Sequence, residues 1–179
     1  MKIRIIYITL FAVLNLLLTI TQVSAQQKDF GVRVGTNQSR RDVTKLHFFE
    51  VYYITKPPFI FSGNGSSFPL MFRLNISIGL LYDDSTNSML ISAGPILELN
   101  PFTDKILFTA GINPSIMTNH SFSNLELGGS FNFISHIALM VKPFSKIGIA
   151  YRFEHISNAS LYETNPGVNI HFLEIHYIR

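Results

Sequence analysis

The chain has 179 residues, of which 47% are hydrophobic and only 14% charged, and it contains no cysteine. Soluble chains typically carry about a quarter charged residues, so the composition argues against an ordinary soluble domain. Without cysteine there can be no disulfide, thiolate metal site or lipid-modified N-terminal cysteine. The formal net charge is +3, but residues 26–179 hold 12 Lys+Arg against 11 Asp+Glu, which is no basic footprint for nucleic acid.

The first 25 residues are typical of a secretory signal peptide. Lys2 and Arg4 precede a long apolar run, and Val23-Ser24-Ala25 gives the small–x–small pattern of a cleavage site. A membrane-spanning helix is the alternative interpretation, but the basic start and the cleavage pattern favour a signal peptide. We therefore expect residues 1–25 to be removed and residues 26–179 to form one domain.

Long runs of residues 26–179 alternate between apolar and polar side chains. In 70–82, for example, every second residue from Leu70 to Tyr82 is apolar. A period of two indicates a strand, and about 9–11 tilted residues cross a bilayer. The pattern predicts eight strands, at 28–37, 45–55, 68–82, 87–99, 105–116, 124–141, 145–157 and 168–178.

Eight strands can close a barrel, and closure removes the unpaired edge that lipid cannot solvate. We therefore predict an all-β fold, an eight-stranded antiparallel transmembrane β-barrel with an interior filled by side chains. In the strand at 124–141, Leu125 and Leu127 are expected to face lipid. An interior network of paired charges is expected from the residues of opposite parity: Glu50, Arg73, Glu98, Glu126, Arg152, Glu154 and Glu174. The histidine spacing predicts no metal site.

Polar residues continue the lipid-facing parity at the adjoining ends of the last two strands. His155 and Ser157 follow the apolar residues of 145–157, and Asn169 and His171 occupy the same parity of 168–178. The backbones of His155 and Ser157 are expected about 6.6 Å apart on one face. A histidine can then activate the hydroxyl over ~3 Å. Alternatively, these are ordinary polar strand ends at headgroup depth.

The stretch His155-x-Ser157-Asn158-Ala159, followed by Asn165-x-Gly167, resembles the signature of the PagL-type lipid A 3-O-deacylases. The resemblance is specific over about fifteen residues. It implies an eight-stranded barrel in the bacterial outer membrane and an ester hydrolase that removes the 3-position acyl chain of lipid A at the outer leaflet. Lipopolysaccharide is the implied partner, and no cofactor is implied.

By this resemblance, Ser157 is the nucleophile and His155 the general base. Asn165 corresponds to the family's loop asparagine, which is implicated in oxyanion stabilisation, and Asn158 has a supporting role. The family's acid is a glutamate, and Asn169 stands at its position. An amide can fix the tautomer of the imidazole but cannot stabilise the imidazolium by charge. Glu163 is an alternative acid, so we expect an activity weakened by Asn169 or supported by Glu163.

The competing function is a non-catalytic small barrel with an adhesive or structural role, in which His155 and Ser157 are headgroup contacts. A transport channel is disfavoured because eight strands leave no open lumen. No nucleic-acid partner is expected, and a homodimer is left open.

Overall fold

The structure, a computed structural model, describes residues 28–38, 44–56, 70–100, 103 and 105–179. The expected signal peptide and the long turn between the second and third predicted strands lie outside these ranges. Within them the chain forms ten strands: β1 (Lys28–Asn37), β2 (His47–Thr55), β3 (Leu70–Tyr82), β4 (Asn87–Leu99), β5 (Ile106–Met117), β6 (Ser121–Phe122), β7 (Leu125–Glu126), β8 (Phe131–Phe144), β9 (Ile147–Ser157) and β10 (Val168–Ile178).

Eight of these strands form a closed barrel in the order β1-β10-β9-β8-β5-β4-β3-β2. Every neighbouring pair is antiparallel, and β1 closes the barrel by pairing with β10 from Asp29↔Ile178 to Asn37↔Ile170. The predicted all-β, eight-stranded barrel is thus confirmed. No helix in the described ranges is long and apolar enough to cross a membrane.

The two sides of the wall follow the predicted alternation. Along β4, buried and exposed residues alternate from Asn87 to Glu98, as the period of two requires. The outer face carries large apolar side chains, among them Leu173 at 64% and Ile137 at 62% exposure. This apolar exterior is what a lipid-facing wall needs.

The interior contains paired charges, and besides residues that the parity predicted they include Arg33 and Asp29, which the predicted network lacked. Arg33 donates from Nε to Oε2 of Glu50 at 2.6 Å and lies 3.3 Å from Glu174 and 3.4 Å from Glu154. Arg152 forms a second ion pair with Glu174. These two arginines and three glutamates are almost completely buried, and buried charges persist when they are paired in this way.

A second buried group lies further along the interior. Arg73 contacts Asp29 at 2.5 Å and Glu98 at 3.1 Å, and its Nη2 donates to the carbonyl of Ile54 at 3.1 Å. The two groups share the interior with other buried polar side chains, such as Asn75, Asn113 and His136.

One end of the barrel, the upper mouth, is the end at which the connections after β1, β3, β5 and β9 lie. Buried apolar side chains from the strand ends and from the β5–β8 connection pack together there: Leu46, Phe48, Leu81, Leu90, Met117, Phe122, Leu125, Leu127, Ile134, Ile156, Val168, Ile170 and Phe172. This apolar plug separates the interior charges from the outer loops.

The predicted continuous strand at 124–141 is wrong in its first part. Residues 121–126 form the short β6–β7 hairpin, and the barrel strand β8 begins at Phe131. Gly128 has a φ of 85°, a left-handed conformation that interrupts an extended strand. Consequently Leu125 and Leu127 are buried in the plug instead of facing lipid, and Glu126 is exposed instead of joining the interior network.

Candidate active site

The adjoining ends of β9 and β10 place His155 directly opposite Asn169 in the antiparallel register. Glu154 and Ile156, the neighbours of His155 along β9, are buried, whereas His155 and Ser157 are only partly buried. His155, Ser157 and Asn169 therefore lie on the outer surface of the barrel wall at its upper mouth, on the face that the sequence predicted.

His155 and Asn169 are joined by a hydrogen bond of 2.7 Å between Nδ1 and Oδ1. An amide oxygen can only accept, so Nδ1 carries a proton, and in the neutral ring Nε2 is then the nitrogen with the lone pair. This is the tautomer that a general base needs, because Nε2 is the nitrogen that takes a proton from a nucleophile. Asn169 thus orients the imidazole without a charge.

Gly167 packs against the other edge of the same ring. A Cβ at this position would lie 2.7 Å from Cε1 and 3.2 Å from Nε2 of His155, and the φ of Gly167 is 62°. Both the close approach and the left-handed backbone favour glycine. The imidazole is therefore held between Asn169 and the Gly167 backbone.

Asn158 connects the site loop to the neighbouring hairpin. Its side chain is fully buried, and Nδ2 donates to the carbonyls of Leu127 at 2.9 Å and Thr164 at 2.6 Å. Its backbone N–H donates to Oδ1 of Asn165 at 3.0 Å. Because that bond uses the oxygen of Asn165, the amide nitrogen of Asn165 is the group left to donate to a ligand.

Ser157 and Glu163 take no part in these hydrogen bonds. Ser157 lies two residues after His155 on the same face, and in the described part of the chain its hydroxyl forms no hydrogen bond. The side chain of Glu163 is exposed and forms no ion pair with any described residue. At Nδ1 of His155, the partner is Asn169 and not Glu163.

An apolar groove of about 540 Å³ crosses the outer wall beside His155. It runs over β9, β8, β5 and β4 and is lined by large apolar side chains such as Ile112, Ile137 and Phe153, together with the small Ala110. A second groove of about 530 Å³ shares part of this lining and continues towards the other end of the barrel. Elongated apolar surface therefore begins at the imidazole and extends along the lipid-facing wall.

Carboxylates in the outer loops are held ionised by local donors. The hydroxyl of Ser121, the ring of His120 and the Gly128 N–H all bond to Glu126, and they lower its pKa. At Asp83, burial acts to raise the pKa, but hydrogen bonds from Ser123 and from the turn that follows outweigh it, so the pKa is lowered. Both carboxylates thus fasten the loops beside the site at neutral pH.

One part of the site was missed by sequence reasoning: the contact between the β9–β10 loop and residues 127–129. Gly128 and Gly129 lie against Thr164 and Tyr162 of that loop. The consecutive glycines, which interrupt an alternating pattern, were the signal that could have indicated it.

The sequence matches the family model described as "Lipid A 3-O-deacylase (PagL)" over residues 30–178. The chain belongs to the PagL family. A curated relative, the lipid A deacylase PagL of Bordetella bronchiseptica, is 35% identical over 69 residues, and the match spans 37% of this chain and 38% of that relative. The matched segment thus covers well under half of the length of this relative.

Solved structures agree with the barrel. The crystal structure of the outer membrane enzyme PagL superposes with a TM-score of 0.65 at 19% identity, covering 83% of this chain and 98% of that one. Neisserial surface protein A gives a TM-score of 0.50 at 11% identity, covering 86% and 95%. At these identities, the likeness to solved structures supports the fold, and membership of the PagL family comes from the family model.

Proposed function

We propose that this PagL-family chain hydrolyses the ester at the 3-position of lipid A in the outer leaflet of the bacterial outer membrane, with Ser157 as nucleophile and His155 as general base. The observation that carries the proposal is the His155–Asn169 hydrogen bond. In the neutral ring this bond makes Nε2 the proton acceptor, two residues from Ser157 on the lipid-facing side of a barrel whose family is named for this reaction.

The proposed reaction proceeds through an acyl-enzyme. Ser157 Oγ attacks the ester carbonyl while Nε2 of His155 takes the hydroxyl proton. The tetrahedral intermediate collapses, and the sugar oxygen leaves with that proton. Water then attacks the acyl-serine with His155 again as the base, which releases the fatty acid and restores the Ser157 hydroxyl. Asn169 keeps the ring in the required tautomer throughout.

The negative oxygen of the intermediate requires a donor in the loop. The amide nitrogen of Asn165 is our candidate, because its Oδ1 is already bonded to the Asn158 N–H. Positioned donors of this kind stabilise the charge that develops in the transition state. Asn158 has the supporting role, since its own side-chain donors are directed to Leu127 and Thr164.

The groove beside His155 supports lipid as the substrate. Its lining is almost entirely apolar, and it starts at the ring that would face the ester. An acyl chain laid along β8 from Ser135 towards Leu139 would follow about 13 Å of wall. The homodimer, which the sequence leaves open, and the role of Glu163 as a substitute acid stay predictions.

The test is hydrolysis of lipid A by the purified, folded protein in detergent micelles, followed by mass spectrometry of both products. We expect release of one fatty acid and a matching mass loss from lipid A. Ser157→Ala should release none, whereas Ser145→Ala, the same change in the exposed turn between β8 and β9, should match the wild type.

A serine-reactive fluorophosphonate should label the peptide containing Ser157 in the wild type. Folded wild-type protein that releases no fatty acid would contradict the proposal and favour the non-catalytic barrel. Hydrolysis that survives in Ser157→Ala would keep the enzyme and reject this nucleophile.

A further inference from the structure

The β9–β10 loop begins with a strained turn. Leu161 N–H donates to the carbonyl of Asn158 at 3.0 Å, and the two residues between them, Ala159 and Ser160, have φ angles of 52° and 64°. Such a turn, with positive φ at both central positions, strongly favours glycine or asparagine. A backbone conformation of this kind persists only when surrounding contacts hold it.

Those contacts come from the β5–β8 connection. A Cβ at Gly129 would overlap the ring of Tyr162, so the ring lies directly on the glycine backbone. The Tyr162 hydroxyl accepts a hydrogen bond from the Phe131 N–H at 3.2 Å. Gly129 is buried in this contact, and only a residue without a side chain leaves room for the ring.

Gly128 contacts the next part of the loop, at Thr164. A Cβ there would overlap the carbonyl oxygen of Thr164 and lie 2.6 Å from Nδ2 of Asn158, and its φ of 85° also favours glycine. The Gly128 N–H donates to Glu126 at 2.8 Å, which ties the glycine to the β6–β7 hairpin. The two adjacent glycines thus contact two separate residues of the loop, Tyr162 and Thr164.

We propose that Gly128 and Gly129 form a socket that holds the β9–β10 loop, and that both are positioning residues for the reaction. Tyr162 and Thr164 of the loop contact the socket, and Asn165 directly follows Thr164 in the chain. The socket therefore sets where Asn165 lies relative to Ser157. This inference rests on the proposed function, because it assigns the glycines a role in that same site.

The test compares four folded variants with the wild type: Gly129→Ala, Tyr162→Leu, the double variant, and Ser130→Ala as the control. Ser130 adjoins the socket, and its side chain forms no hydrogen bond with any described residue. Two quantities are measured, namely hydrogen–deuterium exchange of the 158–167 peptide and the steady-state kcat and KM for lipid A hydrolysis.

We expect Gly129→Ala to accelerate exchange in the loop and to lower kcat by about tenfold or more, because small displacements of a catalytic group are costly. KM should stay within about twofold, since the groove is untouched. Tyr162→Leu should act in the same direction. The double variant should be no worse than the poorer single variant, because both changes break one contact. Ser130→Ala should change neither quantity.

Unchanged exchange in folded Gly129→Ala would overturn the inference, as would faster exchange with an unchanged kcat. If Gly129→Ala does not fold, Tyr162→Leu decides by the same two criteria. A wild type without Ser157-dependent hydrolysis would reject the proposed function. The exchange comparison, which needs no activity, would then still show whether the glycines hold the loop.

Discussion

Glu154 and His155 are neighbours in β9, yet they face opposite sides of the wall and are stabilised in different ways. Glu154 points inwards, where Arg33 and Arg152 lie 3.4 Å and 3.8 Å away. His155 points outwards, and its partner is the neutral amide of Asn169. The interior is held by paired charges, and the outer site by a hydrogen bond to a neutral amide.

The difference follows from whether each side of the wall provides a cationic partner for a carboxylate. Inside the barrel, arginines accompany every cluster of carboxylates that the structure describes. On the lipid-facing side, a carboxylate without a cationic partner would be desolvated at considerable cost. Asn169 avoids that cost and still orients the ring, but it cannot stabilise the imidazolium. The site should therefore be correctly arranged and slow.

The largest expected effect comes from removing the base. His155→Gln should lower kcat for lipid A hydrolysis by about 10³-fold or more, as loss of a catalytic histidine does in serine hydrolases. The unfolding midpoint should hardly change, because the ring lies on the outer surface. Initial rates measured beside His47→Gln, at the same mouth, provide the control. Activity of His155→Gln within tenfold of the wild type would remove His155 from the mechanism.

Removing a charge from the interior should have the opposite effect, lowering stability and leaving kcat almost unchanged. Arg33→Met leaves Glu50, Glu154 and Glu174 without their shared partner, which should lower the free energy of unfolding by about 3–5 kcal/mol. The kcat of the molecules that remain folded should change little. Urea unfolding in micelles, with Val34→Ala on the lipid side of β1 as the control, measures the first effect. A stable Arg33→Met would mean that the interior charges do not hold the barrel.

A smaller effect is expected at Asn169, where the neutral amide can be replaced by an apolar group or by a carboxylate. Asn169→Leu removes the acceptor at Nδ1 and should lower kcat by about 10²-fold, in the range typical of general-base catalysis. Asn169→Glu adds the missing charge and should raise kcat by about tenfold, at some loss of stability in the membrane. If Asn169→Glu is slower than the wild type, the neutral amide is the better partner here.

The barrel was predictable from sequence because a period of two is local. The bounds of β1, β4 and β10 agree with the predicted 28–37, 87–99 and 168–178. The shared outer face of His155 and Asn169 at adjoining strand ends also followed from the alternation, whereas the contact between their side chains was implied by the resemblance.

The β6–β7 hairpin did not follow from the same rule. Leu125 and Leu127 continue the alternation of β8, so parity alone assigns them to lipid. In the structure the chain turns at Gly128, and both side chains are buried in the plug. The contact of the hairpin with the β9–β10 loop joins residues about thirty positions apart and depends on packing, which residue spacing does not encode.

The smallest effect concerns pH and the outer loops. The lowered pKa values of Asp83 and Glu126 mean that their contribution to stability is complete at neutral pH. It is lost only as the pH falls through the folded-state pKa values, below the ordinary range of these carboxyls. The amides of residues 119–129 should therefore lose protection in acid, when their exchange is compared with the intrinsic exchange rate, which itself falls as the pH falls. Glu126→Gln should show less protection of these amides at neutral pH and a weaker dependence of that protection on pH. A protection profile identical to that of the wild type would dismiss the role of Glu126.

The most direct test of the account is mass spectrometry of lipid A from cells that express the wild type, Ser157→Ala or Asn169→Glu, with equal amounts of folded protein in the outer membrane. We expect wild-type cells to lose one 3-position acyl chain from part of their lipid A. Ser157→Ala cells should lose none, and Asn169→Glu cells should lose it from a larger part. Unchanged lipid A in all three strains would contradict this expectation and leave a PagL-family barrel without the reaction.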